Sequence, residues 1–203
     1  VPDRPVHIAV SRDSLVIFLV AGEPSGDVLG GRLMMALNDA TGGAVTFQGV
    51  GGPAMQAQGL KSLFPMSELS IMGLIEILPH ARKLFGRMCE TAAAIDAVQP
   101  DALVTIDAPA FAHGVAKRIQ DAQIPRIHYV APQLWAWRPW RVHKFRRHFD
   151  HLLALLPFES DWFAQRAVDC RFVGHPAVGI EIGIAAGADF RARHGLDADE
   201  TVI

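Results

Sequence analysis

The sequence predicts an α/β fold, an open sheet of parallel strands with helices packed on it. Three observations carry this expectation. Short, continuous apolar runs with many β-branched residues recur along the chain, as strands covered on both faces require. They alternate with helical stretches, the pattern of right-handed strand–helix–strand crossovers. The 203 residues, 50% hydrophobic and 20% charged, are enough for a buried core and exclude a disordered or collagen-like chain.

Leu15–Ala21 (LVIFLVA) is the first expected strand, bounded by Gly22, and a helical pattern follows over Asp27–Leu37. After a polar break, Val45–Val50 reads as a second strand closed by Gly51-Gly52-Pro53. Further strands are expected at Ala102–Ile106, Arg126–Val130, Leu152–Leu156 and Cys170–Val173, with helices at Met88–Val98, Ala112–Gln120 and Asp161–Val168 between them. Asp189–His194 reads as helical with Gly195 as its cap, Asp197–Glu200 as a turn, and Thr201-Val202-Ile203 as the start of another strand. This organisation predicts an unassigned leader at 1–14, one α/β domain over 15–180, and a linker with the start of a second, truncated domain at 181–203.

Composition narrows the function classes. Nineteen basic residues against 21 acidic ones give a charge of −2, so no global basic field recruits nucleic acid. Two cysteines, Cys89 and Cys170, support neither a disulfide scaffold nor a zinc cluster, and a reducing compartment fits them. Leu15–Ala21 falls far short of the ~20 residues of a membrane span and lacks the flanks of a signal peptide. A soluble, cytoplasmic protein is expected.

Four stretches could carry chemistry. Gly22-Glu-Pro-Ser-Gly-Asp27 joins the first strand to a helix, where open α/β sheets bind ligands. Its glycines do not form G-x-G-x-x-G, and G-x-x-S-G is not a nucleophile elbow. Glu23 and Asp27 could accept hydrogen bonds from sugar hydroxyls. Equally, Ser25 could be a plain helix cap with Asp27 favouring the helix dipole. Asp107, ending the strand Ala102–Ile106, suits a general base facing a cleft, or an ordinary cap before Pro109. His128–Arg141 holds Trp135, Trp137 and Trp140 beside Arg138 and Arg141. It reads as a stacking and phosphate-binding surface, or as core indoles beside a solvated basic face. Met66–Phe85 is densely apolar and interrupted by Pro79. It could be an interfacial helix, the wall of an acyl groove or a buried helix. His143, His148 and His151, and the acids Asp197 and Asp199, lack a metal-site arrangement.

Eight passages, in order, resemble the lipid-A-disaccharide synthase family of inverting GT-B glycosyltransferases. They are Val20–Asp27, Phe47–Met55, Ser62–Leu74, Ile106–Pro109, Ile127–Pro132, Trp135–Pro139, Leu155–Glu159 and Val173–Pro176. The resemblance implies a Rossmann-like parallel sheet flanked by helices, the amino-terminal, acceptor-side half of a two-domain enzyme. Most of the donor site would lie in the other half, so this chain alone would be inactive. It implies transfer from UDP-2,3-diacylglucosamine to 2,3-diacylglucosamine 1-phosphate, with no cofactor, no metal and no nucleic acid.

Asp107 matches the family's candidate base. Glu23, Ser25, Gly26 and Asp27 match its first glycine-rich loop. Trp135, Trp137, Arg138 and Arg141 would bind substrate, the arginines through the acceptor phosphate. Met66, Leu69, Ile71, Met72, Leu74, Ile75 and Leu78 would meet acyl chains or the inner-membrane surface, with the protein cytoplasmic and peripherally bound. A homodimer of the complete protein is a further expectation. Two positions depart from the family: Ala110, where an acid is frequent, and Trp140, where a small residue is usual. The rival readings are another UDP-sugar transferase with a non-lipid acceptor, and a non-catalytic nucleotide- or lipid-binding module.

Overall fold

The computed structural model describes residues 14–69, 74–179 and 184–197. In chain order the elements are β1 (Leu15–Ala21), α1 (Pro24–Thr41), β2 (Val45–Val50), α2 (Pro53–Ala57), β3 (Lys61–Ser62) and a 3-10 turn at Met66–Glu68. There follow α3 (Leu74–Val98), β4 (Ala102–Ile106), α4 (Pro109–Ala116), β5 (Arg126–Tyr129), a 3-10 turn at Pro139–Arg141 and α5 (Val142–His148). The remainder is β6 (His151–Ala154), α6 (Pro157–Ala164), β7 (Asp169–Phe172), a 3-10 turn at Pro176–Gly179 and α7 (Ile184–His194).

The strands form one seven-stranded sheet in the order β3-β2-β1-β4-β5-β6-β7, and every pairing is parallel. The chain winds outward from β1 to one edge, then returns to β4 and winds to the other. The reversal falls between β1 and β4, where Ile17–Ala21 lies in register with Ala102–Ile106. That junction is where a doubly wound sheet opens a crevice at the carboxyl ends of its strands.

Alternation along β1 shows why the run is apolar throughout. Ile17, Leu19 and Ala21 face one core with Met34 of α1 and Met55 of α2. Phe18 and Val20 face another, with Ala92 and Ile95 of α3 and Phe111 and Val115 of α4. A strand covered by helices on both sides has no position to spare for a polar residue. A third cluster joins Val142 and Phe145 of α5 to Leu152 and Ala154 of β6 and Phe163 of α6.

β1, β2 and β4 have the bounds expected from sequence, and β5, β6 and β7 differ at their ends by a residue or two. The helices start earlier than expected, because prolines 24, 109 and 157 each stand at or next to the first helical position, where proline's fixed φ and missing N–H cost nothing. Pro79 does not break its segment: α3 runs continuously from Leu74 to Val98. Near a helix start the ring removes a single ladder bond, and the long apolar face of α3 outweighs it. The elements α2 and β3, 5 and 2 residues long, are not anticipated by the sequence pattern, and α5 is anticipated only as a basic helical face without bounds.

Candidate functional site at the strand switch point

Gly22 and Asp107 leave the sheet side by side, one residue beyond the paired Ala21 and Ile106. The two turns touch. A Cβ on Gly22 would lie 2.7 Å from the Cβ of Ala108 and 3.9 Å from that of Leu69, so only glycine permits this approach. β1 thus reaches its helix through a turn pressed against the one that carries Asp107.

Asp107 and Ala108 both have left-handed backbone, with φ of 52° and 45°. Aspartate tolerates this region; alanine does so rarely, and Ala108 also precedes a proline that steers it toward extended backbone. The Asp107 amide donates to the Tyr129 carbonyl at 3.0 Å, and Ala108, with no side-chain cap, is the residue that opens α4. The capping alternative for Asp107 is therefore not what the structure contains. Its half-buried carboxylate makes no hydrogen bond or ion pair among the described residues. Val130, the residue after β5, has φ of 78°, an outlier for a β-branched side chain. Strained backbone thus gathers at the carboxyl ends of β4 and β5, flanking the crevice.

Below these turns, His128 of β5 is wholly buried and shares a 2.7 Å hydrogen bond between Nδ1 and the Thr105 hydroxyl of β4. Burial pushes its pKa down to about 3, so it is a neutral clamp between the two strands. Burial likewise lowers His113 to about 4, helped by His148, Lys144 and Arg141 nearby. Burial raises the Tyr129 phenol, opposed by Arg32.

On the other side of the crevice α1 begins at Pro24 with Glu23 as its cap residue and no side-chain cap bond, so Ser25 is not the cap either. The first intrahelical bond runs from the Asp27 amide to the Glu23 carbonyl at 2.9 Å. Amides ahead of it have no partner within the helix. Glu23 and Ser25 are exposed, whereas Gly26 is buried against the Ile106 carbonyl.

Asp27 does something other than the expected contact with substrate. It is buried, and its oxygens accept from the amides of Gly52 at 2.8 Å, Ala54 at 2.9 Å and Met55 at 3.0 Å. Its carboxylate is consumed in fastening the start of α2 to α1. A Cβ on Gly52 would fall 2.7 Å from Asp27 Oδ2, which fixes glycine there.

The tryptophans divide. The Trp135 indole N–H donates to Glu159 Oε1 at 3.1 Å and its ring meets Phe158 edge-on. Glu159 is buried and also accepts from the Leu156 amide at 3.1 Å, so Trp135 pins the loop after β5 to α6. The sequence signal for Glu159 was its position three residues into a helix start, where a carboxylate reaches back to the cap amide. Trp137 and Trp140 are 58% and 68% exposed, so neither is a core residue. The Arg138 guanidinium lies 4.5 Å over the Trp137 ring, and Arg141 is exposed.

Of the expected acyl contacts, Met66 is buried in the core beside Met55, a correction to its reading as a lipid contact. Leu69 is half-buried beside Gly22 and packs against the second core cluster. Ile71 and Met72 lie outside the described residues, and Leu74, Ile75 and Leu78 are placed as backbone of α3. Glu68, just before that stretch, is tied to Arg87 at 2.7 Å and to Lys83 at 3.3 Å, anchoring its entry to α3. Among the described residues no three His, Cys, Asp or Glu side chains converge as a metal site would need, and no helix is long and apolar enough to cross a bilayer.

Fold and crevice together define a doubly wound α/β domain of the kind that holds ligands at its strand switch point. Over residues 17–203 the chain matches the family described as lipid-A-disaccharide synthetase, and it belongs to that family. It is 53% identical over 191 residues to the lipid-A-disaccharide synthase of Rhodospirillum centenum, covering 93% of this chain and 48% of that protein. The synthase of Gluconobacter oxydans is 48% identical over 96% of this chain and 47% of its own length, and that of Pseudomonas aeruginosa 45% over 94% and 50%. The chain spans about half the length of the curated relatives it matches.

Proposed function

We propose that the full gene product transfers 2,3-diacylglucosamine from its UDP conjugate to the 6-hydroxyl of 2,3-diacylglucosamine 1-phosphate, giving the β-1′,6-linked disaccharide and UDP. The chain supplies the acceptor side, working from the cytoplasmic face of the inner membrane. An α-linked donor and a β-linked product call for a single displacement. Asp107 takes the hydroxyl proton as the oxygen bonds to the sugar's anomeric carbon, and the bond to UDP breaks with its electron pair leaving on phosphate. The observation that carries this reading is the Asp107 carboxylate, held without a partner among the described residues on a left-handed bend at the switch point.

Glu23 and Ser25, exposed at the start of α1, would contact sugar hydroxyls and position the donor, with the buried Gly26 shaping the turn beneath them. Arg138 and Arg141 would take the acceptor 1-phosphate, with Trp137 bracing the Arg138 guanidinium. Acyl chains would run from Leu69 along the apolar segment to Leu78.

The test uses the full gene product with both diacylated substrates, wild type beside Asp107→Asn, and mass spectrometry for the tetraacyl disaccharide phosphate. The expected outcome is product from wild type and a loss of ~10²-fold or more in the variant. Equal product from both would remove Asp107 as the base. No product from folded wild type would overturn the reaction.

A further inference from the structure

A polar pair is buried in the sheet just beneath the strand ends that carry Asp107. Thr105 of β4 and His128 of β5 are partners in the strand register, both wholly buried, and their side chains share the 2.7 Å hydrogen bond. The same hydroxyl lies 3.4 Å from the Ile127 carbonyl, so it meets both the ring and the backbone of β5. Phe145 of α5 and Phe149 at its end pack on the imidazole, with ring centroids 5.2 and 5.1 Å away. Stability does not account for the pair. His128 Nε2 is buried with no hydrogen-bond partner among the described residues, a cost that an apolar pair of similar volume would avoid. What distinguishes the pair is its place. Two residues beyond Thr105 stands Asp107, with φ of 52°, and two beyond His128 stands Val130, with φ of 78°. Between them Ile106 and Tyr129 are in register, and the Asp107 amide donates to the Tyr129 carbonyl at 3.0 Å. Left-handed backbone at such residues persists only where its surroundings over-determine it.

We propose that Thr105 and His128 are positioning residues for Asp107. Their hydrogen bond fixes β4 against β5 one register step before the strands end, and so holds the carboxylate where it meets the acceptor hydroxyl. The inference rests on the reading of Asp107 as the base. Both side chains are wholly buried, so neither touches substrate, and they act through the backbone above them. An apolar pair would let the strand ends slide by fractions of an ångström. A hydrogen bond of set length and direction narrows that freedom, and a misplacement of about 1 Å at a reacting group is enough to cost ~10²-fold in rate.

The test compares the full gene product with three variants, at a temperature where all stay folded. Thr105→Val keeps the side chain's shape and deletes its hydroxyl, and Thr105→Ser restores the hydroxyl. Thr91→Val is the control. Thr91 is equally buried, but its hydroxyl donates to the Arg87 carbonyl within α3 at 2.7 Å, so its loss reports stability alone. Thr105→Val should lower kcat for disaccharide synthesis by about tenfold with KM for both substrates unchanged, and Thr105→Ser should recover most of it. Thr91→Val should keep the wild-type kcat. Hydrogen exchange at the Asp107 amide should quicken by about fivefold in Thr105→Val and stay as in wild type in Thr91→Val. A wild-type kcat in Thr105→Val overturns the proposal, as does an equal fall in Thr91→Val or a loss that serine does not rescue. Full turnover by Asp107→Asn would sink the base and with it the pair's service to it. Unchanged exchange at the Asp107 amide in Thr105→Val would sink the pair alone and leave the base standing.

Discussion

Two aspartates near strand ends have opposite fates. Asp27 gives its carboxylate to three backbone amides and is buried with them. Replacing it by alanine strands those amides, so Asp27→Ala should cost about 3 kcal/mol in a urea unfolding experiment. In cold assays where the variant stays folded, KM for either substrate should hardly move. A tenfold rise in KM would instead mean that Asp27 touches substrate. Asp107 keeps its carboxylate clear, and the backbone beneath it carries strain of about 1–2 kcal/mol per left-handed residue. No local pattern separates the two residues. What separates them is that the Gly52–Met55 amides return from β2 and close on Asp27, a tertiary event invisible in the sequence around either one. Trp135 and Trp137 part for the same reason, since a buried Glu159 reaches one indole and not the other.

The same logic holds for whole elements. Strands buried on both faces announce themselves: β4 is buried at every position and β1 from Ile17 onward, whereas β2, with Thr46 and Gln48 exposed, was bounded by the polar break before it and the glycines after it. Short elements such as α2 and α5 are held by neighbours rather than by periodicity, and proline 79 misleads because tertiary packing overrides a local break. The switch-point turns were legible in place but not in contact. Their contact gives a prediction: Gly22→Ala puts a methyl where Ala108 already stands and must shift the Asp107 turn. Disaccharide synthesis should fall at least tenfold, consistent with the sensitivity of catalysis to ångström displacements. Activity within twofold of wild type would mean that the turns can separate without consequence.

Across the molecule, His128 and His113 make stability depend on pH. Their folded pKa values, about 3 and about 4, lie below the ordinary 6.5. The unfolded chain binds protons that the folded chain refuses. Their contribution is therefore full above pH 6.5 and is lost as the pH falls toward 4 and then 3. Between pH 7 and pH 5 the unfolding free energy should drop by about 2–4 kcal/mol, and His128→Leu should remove roughly half of that drop. A flat profile would show that these rings reach solvent. The overall topology was readable from the alternation of strand and helix, whereas the buried Thr105–His128 pair was not, because the two meet only once β4 and β5 align.

The central strand pair also sets a timetable for synthesis. β1 is made before β4, and the edge it offers begins to close only when Asp101 arrives, 85 residues later, to exchange hydrogen bonds with Val16. At translation speeds of roughly 5–20 residues per second, that is about 4–17 s during which a wholly apolar strand waits on the ribosome with one side bare. In that interval the bare edge is open to non-native strand pairing, and slower codons between β1 and β4 would lengthen its exposure.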